Sequence, residues 1–248
     1  MSALINRAER WVANSVFRRE IALNRDAGVV SFSFDDAPQS ACEAGRDILE
    51  EAGCLGTWYI AGGLTDELEQ GRRCHSVNHL RQLVQSGHHI GCHTFSHRRC
   101  DQMSTFQMRA EVDRNAAFFR DAGLDFPEMH FSYPLGAYDL AAKRQAAASF
   151  ASTRLTTGGI QTESADLNGL RAQKLYSHSL MEESLVEMLQ ATARSRGWLI
   201  LYTHDVESDP SVWGCTPQLL SFAVRTALEF GCRVLPVNHA IRYWQDAK

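Results

Sequence analysis

Two pairs of residues carry the clearest chemistry in this 248-residue chain. Asp35 and Asp36 are adjacent, and adjacent carboxylates at a strand end point in different directions, so one can bind a metal while the other handles a proton. The same Asp-Asp-x-Pro stretch is also ordinary turn chemistry, and these residues alone leave that alternative open. His93 and His97 are four positions apart, which brings both rings within reach of one ion. Two histidines and one carboxylate leave coordination positions open, as catalytic metal sites do.

Hydrophobic periodicity predicts the elements that position these residues. Strands are expected at 28–34, 56–60, 88–92, 129–133, 150–154, 170–176, 197–203 and 232–237. Helices are expected at 40–53, 76–86, 104–122, 139–148, 180–196 and 216–231, with a short terminal helix, and 155–169 is expected to be loop. This β-then-α alternation has no linker, and it favours a single barrel-like α/β domain over an open doubly wound sheet. Catalytic residues of such barrels lie where strands end, so the candidates should converge there.

The composition excludes several classes of protein. The formal net charge is −4 and there is no long basic run, so no nucleic-acid partner is expected. The longest strongly apolar run, Trp198 to Tyr202, is too short for a transmembrane segment. Arginines interrupt the N-terminus, which therefore does not resemble a signal peptide, and we expect a cytoplasmic protein. The seven cysteines are scattered without a CxxC pair, and we expect reduced, mostly buried thiols.

Residues 1–25 are interpreted as an N-terminal helical extension of one catalytic domain over 1–248. The apolar residues within 3–21 fall along one side of a helix, with arginines elsewhere. This helix either packs on the barrel and covers its open end, or lies on a membrane surface to serve a lipid-linked glycan.

Four motifs in this order resemble those of the polysaccharide deacetylase (NodB-homology) family, carbohydrate esterases that hydrolyse N- or O-acetyl groups on glycans. Phe34–Pro38 (FDDAP) is similar to the family's T-F-D-D-G-P, and His93–His97 (HTFSH) matches H-[ST]-x-x-H. Ser132–Gly136 (SYPLG) resembles R-x-P-[YF]-G, and Tyr202–His204 (YTH) resembles L-x-H. The resemblance implies a distorted, incomplete (β/α) barrel, here of about seven strands.

The resemblance also assigns roles to individual residues. It implies that a divalent metal, usually zinc, binds to Asp36, His93 and His97. It also implies that Asp35 is the general base, that His204 is the general acid and that the backbone N–H of Leu135 belongs to the oxyanion hole. The implied substrate contacts are Tyr133, Pro134 and Tyr202.

The chain departs from the family pattern in two places. Ser132 stands where the motif has the arginine that orients the catalytic aspartate, and the acidic–Trp motif has no clear match within 155–175. A buried carboxylate needs a partner to stay ionised and aimed. We therefore expect Arg154, at the end of the next predicted strand, to reach the base, with Arg171 as the second candidate and a surface arginine as the alternative.

These observations predict a metal-dependent hydrolase that removes an N-acetyl, or another acyl, group from an amino sugar or glycan. The substrate can be free, nucleotide-linked or lipid-linked. Two alternatives remain: a related amidase acting on a small non-sugar C–N bond, and a catalytically inactive glycan-binding domain. Retention of the base and of all three ligands argues against the inactive domain.

Overall fold

The computed structural model describes residues 15–124 and 129–246. Its strands are β1 (Glu20–Ala22), β2 (Val29–Asp35), β3 (Thr57–Ile60), β4 (Leu68–Glu69), β5 (Arg72–Arg73), β6 (His89–Cys92), β7 (His130–Ser132), β8 (Ser152–Arg154), β9 (Ser164–Asp166), β10 (Gln173–Lys174), β11 (Trp198–Thr203) and β12 (Arg233–Val234). Its α-helices are α1 (Arg46–Glu51), α2 (Val77–Gln85), α3 (Thr105–Asp121), α4 (Leu140–Ser149), α5 (Glu182–Ser195), α6 (Pro217–Glu229) and α7 (Val237–Gln245). A π-helical segment, Ala41–Gly45, leads into α1.

Seven parallel strands form a curled sheet in the order β10-β11-β2-β3-β6-β7-β8, and β12 pairs with the first residues of β2. The central pairing joins β11 to β2 over six residues, from Trp198 opposite Val29 to Thr203 opposite Phe34. This half-barrel confirms the predicted incomplete (β/α) barrel. Because its strands are parallel, their carboxyl ends lie along one edge of the sheet.

Burial on both faces explains why the central strands read as unbroken apolar runs. All seven residues of β2 and all six of β11 are buried, as expected for parallel strands with helices packed around them. Phe34 of β2 stacks on Trp58 of β3 with ring centroids 4.5 Å apart. The ends of β2 and β11, which carry the candidate residues, are therefore held by a well-packed core.

Capping residues set the helix boundaries close to those predicted. Ser104 and Gln107 form a reciprocal capping box at the start of α3, and Gly123 follows that helix with a φ of 70°. The Thr216 side chain accepts from the Leu219 N–H at the start of α6, whose first residue is Pro217.

Two predictions about local structure were wrong. Residues 155–169 were expected to be loop, but Ser164–Asp166 pairs in antiparallel fashion with Glu20–Ala22. A three-residue strand gives almost no periodicity, and its partner is more than 140 residues away in sequence. The same strand, β1, replaces the end of the helix expected over 3–21; residues 3–14 of that helix lie outside the described residues.

All seven cysteines are buried and none forms a disulfide, as predicted. Among residues 15–124 and 129–246, no helix combines the length and the apolar character that crossing a bilayer requires.

Candidate active site

Four strand ends meet at one cavity of about 210 Å³. Asp35 is the last residue of β2 and Asp36 follows it; His93 follows β6, and His204 follows β11. Leu135 lies in a 3₁₀ turn shortly after β7. The lining residues are Asp35, Asp36, Gln70, His93, His97, Leu135, Gly136, Thr156, Lys174, Tyr176, Tyr202, His204 and Trp213. The predicted convergence at the carboxyl edge of the sheet is thus observed.

Asp36, His93 and His97 face one another across a few ångströms. The Asp36 Oδ1 atom is 3.0 Å from His97 Nε2 and 3.5 Å from His93 Nε2. One ligand atom from each residue lies within 4.8 Å of the other two. This spacing is compatible with a single ion held by three protein ligands.

The second nitrogen of each imidazole indicates which tautomer faces the cluster. His93 Nδ1 lies 2.7 Å from the Ser132 carbonyl oxygen, which can only accept, so the proton is on Nδ1. His97 Nδ1 lies 3.2 Å from the carboxylate of Glu69, which likewise accepts. Both Nε2 atoms then direct lone pairs toward Asp36, as metal-bound histidines do.

The donor set fits a divalent cation. Asp36 Oδ1 is buried and has no hydrogen-bond donor among the residues that the structure describes, while two imidazole lone pairs face it. Burial raises the pKa of Asp36 to about 7 and lowers the pKa of His93 to about 3, because water that would solvate charge is excluded. A cation would compensate the three converging lone pairs, and a two-His, one-Asp set leaves coordination positions open.

Six non-glycine residues in the site or next to its residues have left-handed backbone. Their φ angles are 61° at Asp36, 50° at Ala37, 51° at Gln70, 60° at Thr94, 51° at His97 and 58° at Leu135. Such conformations are uncommon for these residue types and are concentrated at functional sites. Asp36 and His97 both have this left-handed backbone, and their side chains lie 3.0 Å apart.

Arg154 forms the contact with Asp35 that we expected of it. Its guanidinium donates to both carboxylate oxygens, 2.6 Å from Oδ1, and also to the Ser132 hydroxyl. Burial alone would raise the pKa of Asp35, but the charge of Arg154, helped by His93 and His204, keeps it below its ordinary value.

The replacement of the motif arginine by Ser132 has a direct geometric explanation. Ser132 and Arg154 are register partners on β7 and β8, so a short side chain at 132 leaves room for the long one from the neighbouring strand. The guanidinium also lies over the rings of Tyr202 and Tyr59, 4.6 and 5.2 Å from their centroids. Arg171, the second candidate, instead donates to the Ile160 carbonyl and lines a different cavity.

His204, which follows β11, lines the same cavity. Its Nδ1 lies 3.1 Å from the Trp213 carbonyl oxygen, which places the proton on Nδ1. Its Nε2 lies 3.8 Å from Asp36 Oδ2 and faces the cavity. The ring is about one-fifth exposed and lies 5.9 Å from the Tyr176 ring and 6.5 Å from the Tyr202 ring.

Of the three residues that the sequence suggested as substrate contacts, Tyr202 lines the cavity, whereas Tyr133 and Pro134 are not among its lining residues. Tyr133 is 1% exposed and packs edge-on against Phe131, 4.9 Å between centroids. Tyr133 belongs to a buried hydrophobic cluster that also includes Phe131 and Tyr138.

Five cavity residues were not predicted from the sequence: Gln70, Thr156, Lys174, Tyr176 and Trp213. Two of them fall within the strand predicted at 170–176, at its carboxyl end, and that position could have identified them. The others lie in a short hairpin and in loops, for which periodicity carries no signal.

The profile of the polysaccharide deacetylase family matches residues 22–153, more than half of the 248-residue chain. The chain is also 24% identical over 98 residues to a bifunctional xylanase/deacetylase of Pseudobutyrivibrio xylanivorans. That match covers 39% of this chain and 15% of the relative, so this chain corresponds to a small part of the relative's length.

Several solved structures share the fold. A family 4 acetyl xylan esterase from Clostridium thermocellum, in complex with a cobalt ion, has a TM-score of 0.59 at 19% identity, covering 87% of this chain and 91% of that one. A family 4 carbohydrate esterase from Streptomyces lividans, in complex with acetate, has a TM-score of 0.59 at 18% identity, covering 84% and 91%. A family 4 pseudoenzyme from Bacillus anthracis has a TM-score of 0.61 at 11% identity, covering 87% and 66%. With its sequence matching the family profile over residues 22–153, this chain belongs to the polysaccharide deacetylase family.

Proposed function

We propose that this chain is a metal-dependent hydrolase that removes an N-acetyl, or another acyl, group from an amino sugar or glycan. The observation that carries the proposal is the meeting of three groups on one cavity: the cluster of Asp36, His93 and His97, the Arg154-paired carboxylate of Asp35, and the imidazole of His204. Hydrolysis of an amide needs an electrophilic centre, a base and an acid, and this arrangement can supply all three.

Asp36, His93 and His97 would hold the ion, for which zinc is the best match to the donor set. When bound, such an ion would polarise an acyl carbonyl and lower the pKa of bound water toward about 7. The protein contributes the fixed tautomers of both histidines and the dry surroundings of Asp36, which is 3% exposed.

Asp35 is the proposed general base. Arg154 keeps the pKa of this carboxyl low, so it is ionised and able to accept a proton from the attacking water. The same contact fixes its orientation, since one guanidinium nitrogen holds both oxygens. A fixed carboxylate avoids the reorganisation that a mobile side chain would need at the moment of reaction.

His204 is the proposed general acid: in its doubly protonated imidazolium form it would pass the Nε2 proton to the departing amine and return to the neutral ring that keeps its proton on Nδ1. Its Nδ1–H is directed at the Trp213 carbonyl, which orients the ring with Nε2 toward the cavity. An amine leaves poorly unless it is protonated, so this transfer is needed in the second half of the reaction. The backbone N–H of Leu135, at the cavity edge, is the proposed donor to the tetrahedral oxyanion.

The shape of the cavity favours a single sugar residue at the reacting position. Its volume of about 210 Å³ is below the roughly 300–1,000 Å³ common for drug-sized ligands. Tyr176, Tyr202 and Trp213 supply aromatic surface on one side, which suits the apolar faces of a pyranose ring. The rest of a free, nucleotide-linked or lipid-linked substrate would lie outside.

The test is acetate release from three substrate types by the zinc-supplemented protein: a β-linked N-acetylhexosamine oligomer, an O-acetylated xylan and a simple N-alkyl acetamide. We expect the N-acetylated sugar to be hydrolysed fastest, and Asp35→Asn to slow the reaction by about 10²–10⁴-fold. Fastest hydrolysis of the simple amide would favour the amidase alternative. Saturable binding of the oligomer without acetate release would favour an inactive glycan-binding domain.

A further inference from the structure

A short hairpin that the sequence did not reveal reaches over the metal-ligand cluster. Strands β4 and β5 pair in antiparallel register, with Glu69 opposite Arg72. The two loop residues, Gln70 and Gly71, have φ angles of 51° and 80°, as in the type I′ turns that match the twist of a hairpin. This turn places Glu69 against His97, with its Oε1 atom 3.2 Å from Nδ1.

The hairpin is fixed on both of its sides. Arg72 reaches across to the segment after β11, with Nε 3.0 Å from the buried carboxylate of Asp205 and 2.6 Å from Glu207. Its Nη2 also donates to the Asp209 carbonyl, at 3.0 Å. Beyond β5, the buried His75 has its Nδ1 3.2 Å from the Asp36 carbonyl oxygen. Glu69 is therefore presented to His97 by an anchored element.

We infer that Glu69 is a positioning residue of the metal centre, acting through His97. The inference rests on the proposed function, since it assumes that an ion binds the Asp36 cluster. Glu69 accepts from Nδ1–H, which keeps the lone pair on Nε2, limits rotation of the ring, and makes Nε2 a stronger donor. The two histidines differ in what orients them. His93 is oriented by a neutral backbone carbonyl, whereas His97 is oriented by the carboxylate of Glu69.

Charge on Glu69 has a second consequence for the cluster. A carboxylate beside His97 partly offsets the positive charge that an ion brings into a buried site. The His97 side chain is 6% exposed and that of Glu69 is 30% exposed, so the interaction lies at the boundary between cavity and solvent. A neutral acceptor at this position would keep the hydrogen bond and lose the charge.

The test compares zinc affinity, measured by chelator competition without substrate, in wild type, Glu69→Ala, Glu69→Gln and Glu67→Gln. Glu67 is an exposed glutamate on the same hairpin, and it serves as the matched control. We expect Glu69→Ala to weaken zinc binding by about 10–100-fold, Glu69→Gln to weaken it less, and Glu67→Gln to match wild type. With cobalt in place of zinc, the visible absorption of Glu69→Ala should shift relative to wild type because the His97 ring is no longer held.

The outcomes separate this inference from the proposed function. If wild type binds zinc and Glu69→Ala binds it equally well, Glu69 is not a positioning residue, while the proposed function stands. If Glu67→Gln weakens binding as much as Glu69→Ala, the effect comes from the hairpin as a whole and the inference is overturned. If wild type binds no zinc, both fail. Thermal denaturation shows whether each variant is folded. If Glu69→Ala is not folded, the zinc affinity of Glu69→Gln relative to wild type decides the outcome.

Discussion

Arg154 and Asp35 are 119 positions apart in sequence, yet one guanidinium nitrogen of Arg154 donates to both carboxylate oxygens of Asp35. Their side chains are 0% and 6% exposed. Taking two charges out of water is costly, and removing either partner leaves the other charge uncompensated. The ion pair is also where this chain departs from the family motif, because the arginine comes from β8 rather than from position 132.

Replacing Arg154 tests whether the ion pair maintains both stability and activity. We expect Arg154→Met to lower the free energy of unfolding by roughly 3–5 kcal/mol. We also expect it to lose activity, since burial without the guanidinium raises the pKa of Asp35. The double variant Arg154→Met/Asp35→Asn should regain stability but not activity. Denaturant titrations and acetate release check both effects, and a stable, active Arg154→Met would show that the pair is dispensable.

Replacing Asp35 and replacing Asp36 should have different effects on metal binding. Asp36→Asn should lose zinc affinity and activity together, because Asp36 supplies the only carboxylate of the ligand cluster. Asp35→Asn should keep the metal and lose turnover by about 10²–10⁴-fold. Metal content and acetate release are measured on the same samples. Equal loss of metal in both variants would mean that the two roles are wrongly assigned.

His204→Ala separates proton donation from metal binding. We expect zinc affinity close to that of wild type and turnover of an N-acetyl sugar lowered by about 10²–10⁴-fold. An acetate ester with a good leaving group needs no protonation on departure, so its hydrolysis should fall much less. The ratio of the two rates is the measurement, and an equal fall for both substrates would exclude His204 as the acid.

Two buried histidines at the other end of the sheet should make stability depend on pH. His89 and His130 pack edge to face, 4.8 Å between ring centroids. Burial lowers the pKa of His130 to about 4 and that of His89 well below its ordinary value. In the unfolded chain both titrate near 6.5. Between about pH 6.5 and 4 the unfolded state therefore binds more protons, and stability falls as the pH falls.

The measurement is the free energy of unfolding at pH 7.5 and pH 5.5, for wild type and His130→Asn. Each such histidine contributes up to about 1.4 kcal/mol per pH unit within the window, so the variant should lose less stability on acidification than wild type. Contributions from other groups cancel in this comparison. An equal loss in both proteins would show that His130 does not titrate on unfolding.

The strand ends could be predicted because a parallel strand buried on both faces leaves a long apolar run that stops abruptly. Phe34, the last apolar residue of its run, comes directly before Asp35 and Asp36. The position of the two aspartates at this strand end identified them as candidates. Arg154 could be predicted because a buried carboxylate without its motif arginine needs another cation, and the next strand end is the nearest source.

The hairpin that carries Glu69 could not be predicted, because two-residue strands with mostly polar side chains have no hydrophobic alternation. The burial of Tyr133 was not predicted either, since it depends on how the chain turns after β7 rather than on residue type. The pairing of Ser164–Asp166 with Glu20–Ala22 joins segments far apart in sequence. Each of these features depends on tertiary contacts that local pattern does not encode.

Removing and restoring the metal tests most directly whether the cluster of Asp36, His93 and His97 supports metal-dependent deacetylation. Acetate release from an N-acetylhexosamine oligomer is followed for the chelator-stripped protein and again after one equivalent of zinc is added. We predict that the stripped protein is inactive, that one equivalent restores activity, and that Asp36→Asn is not restored. Full activity of the stripped protein in excess chelator would contradict the account.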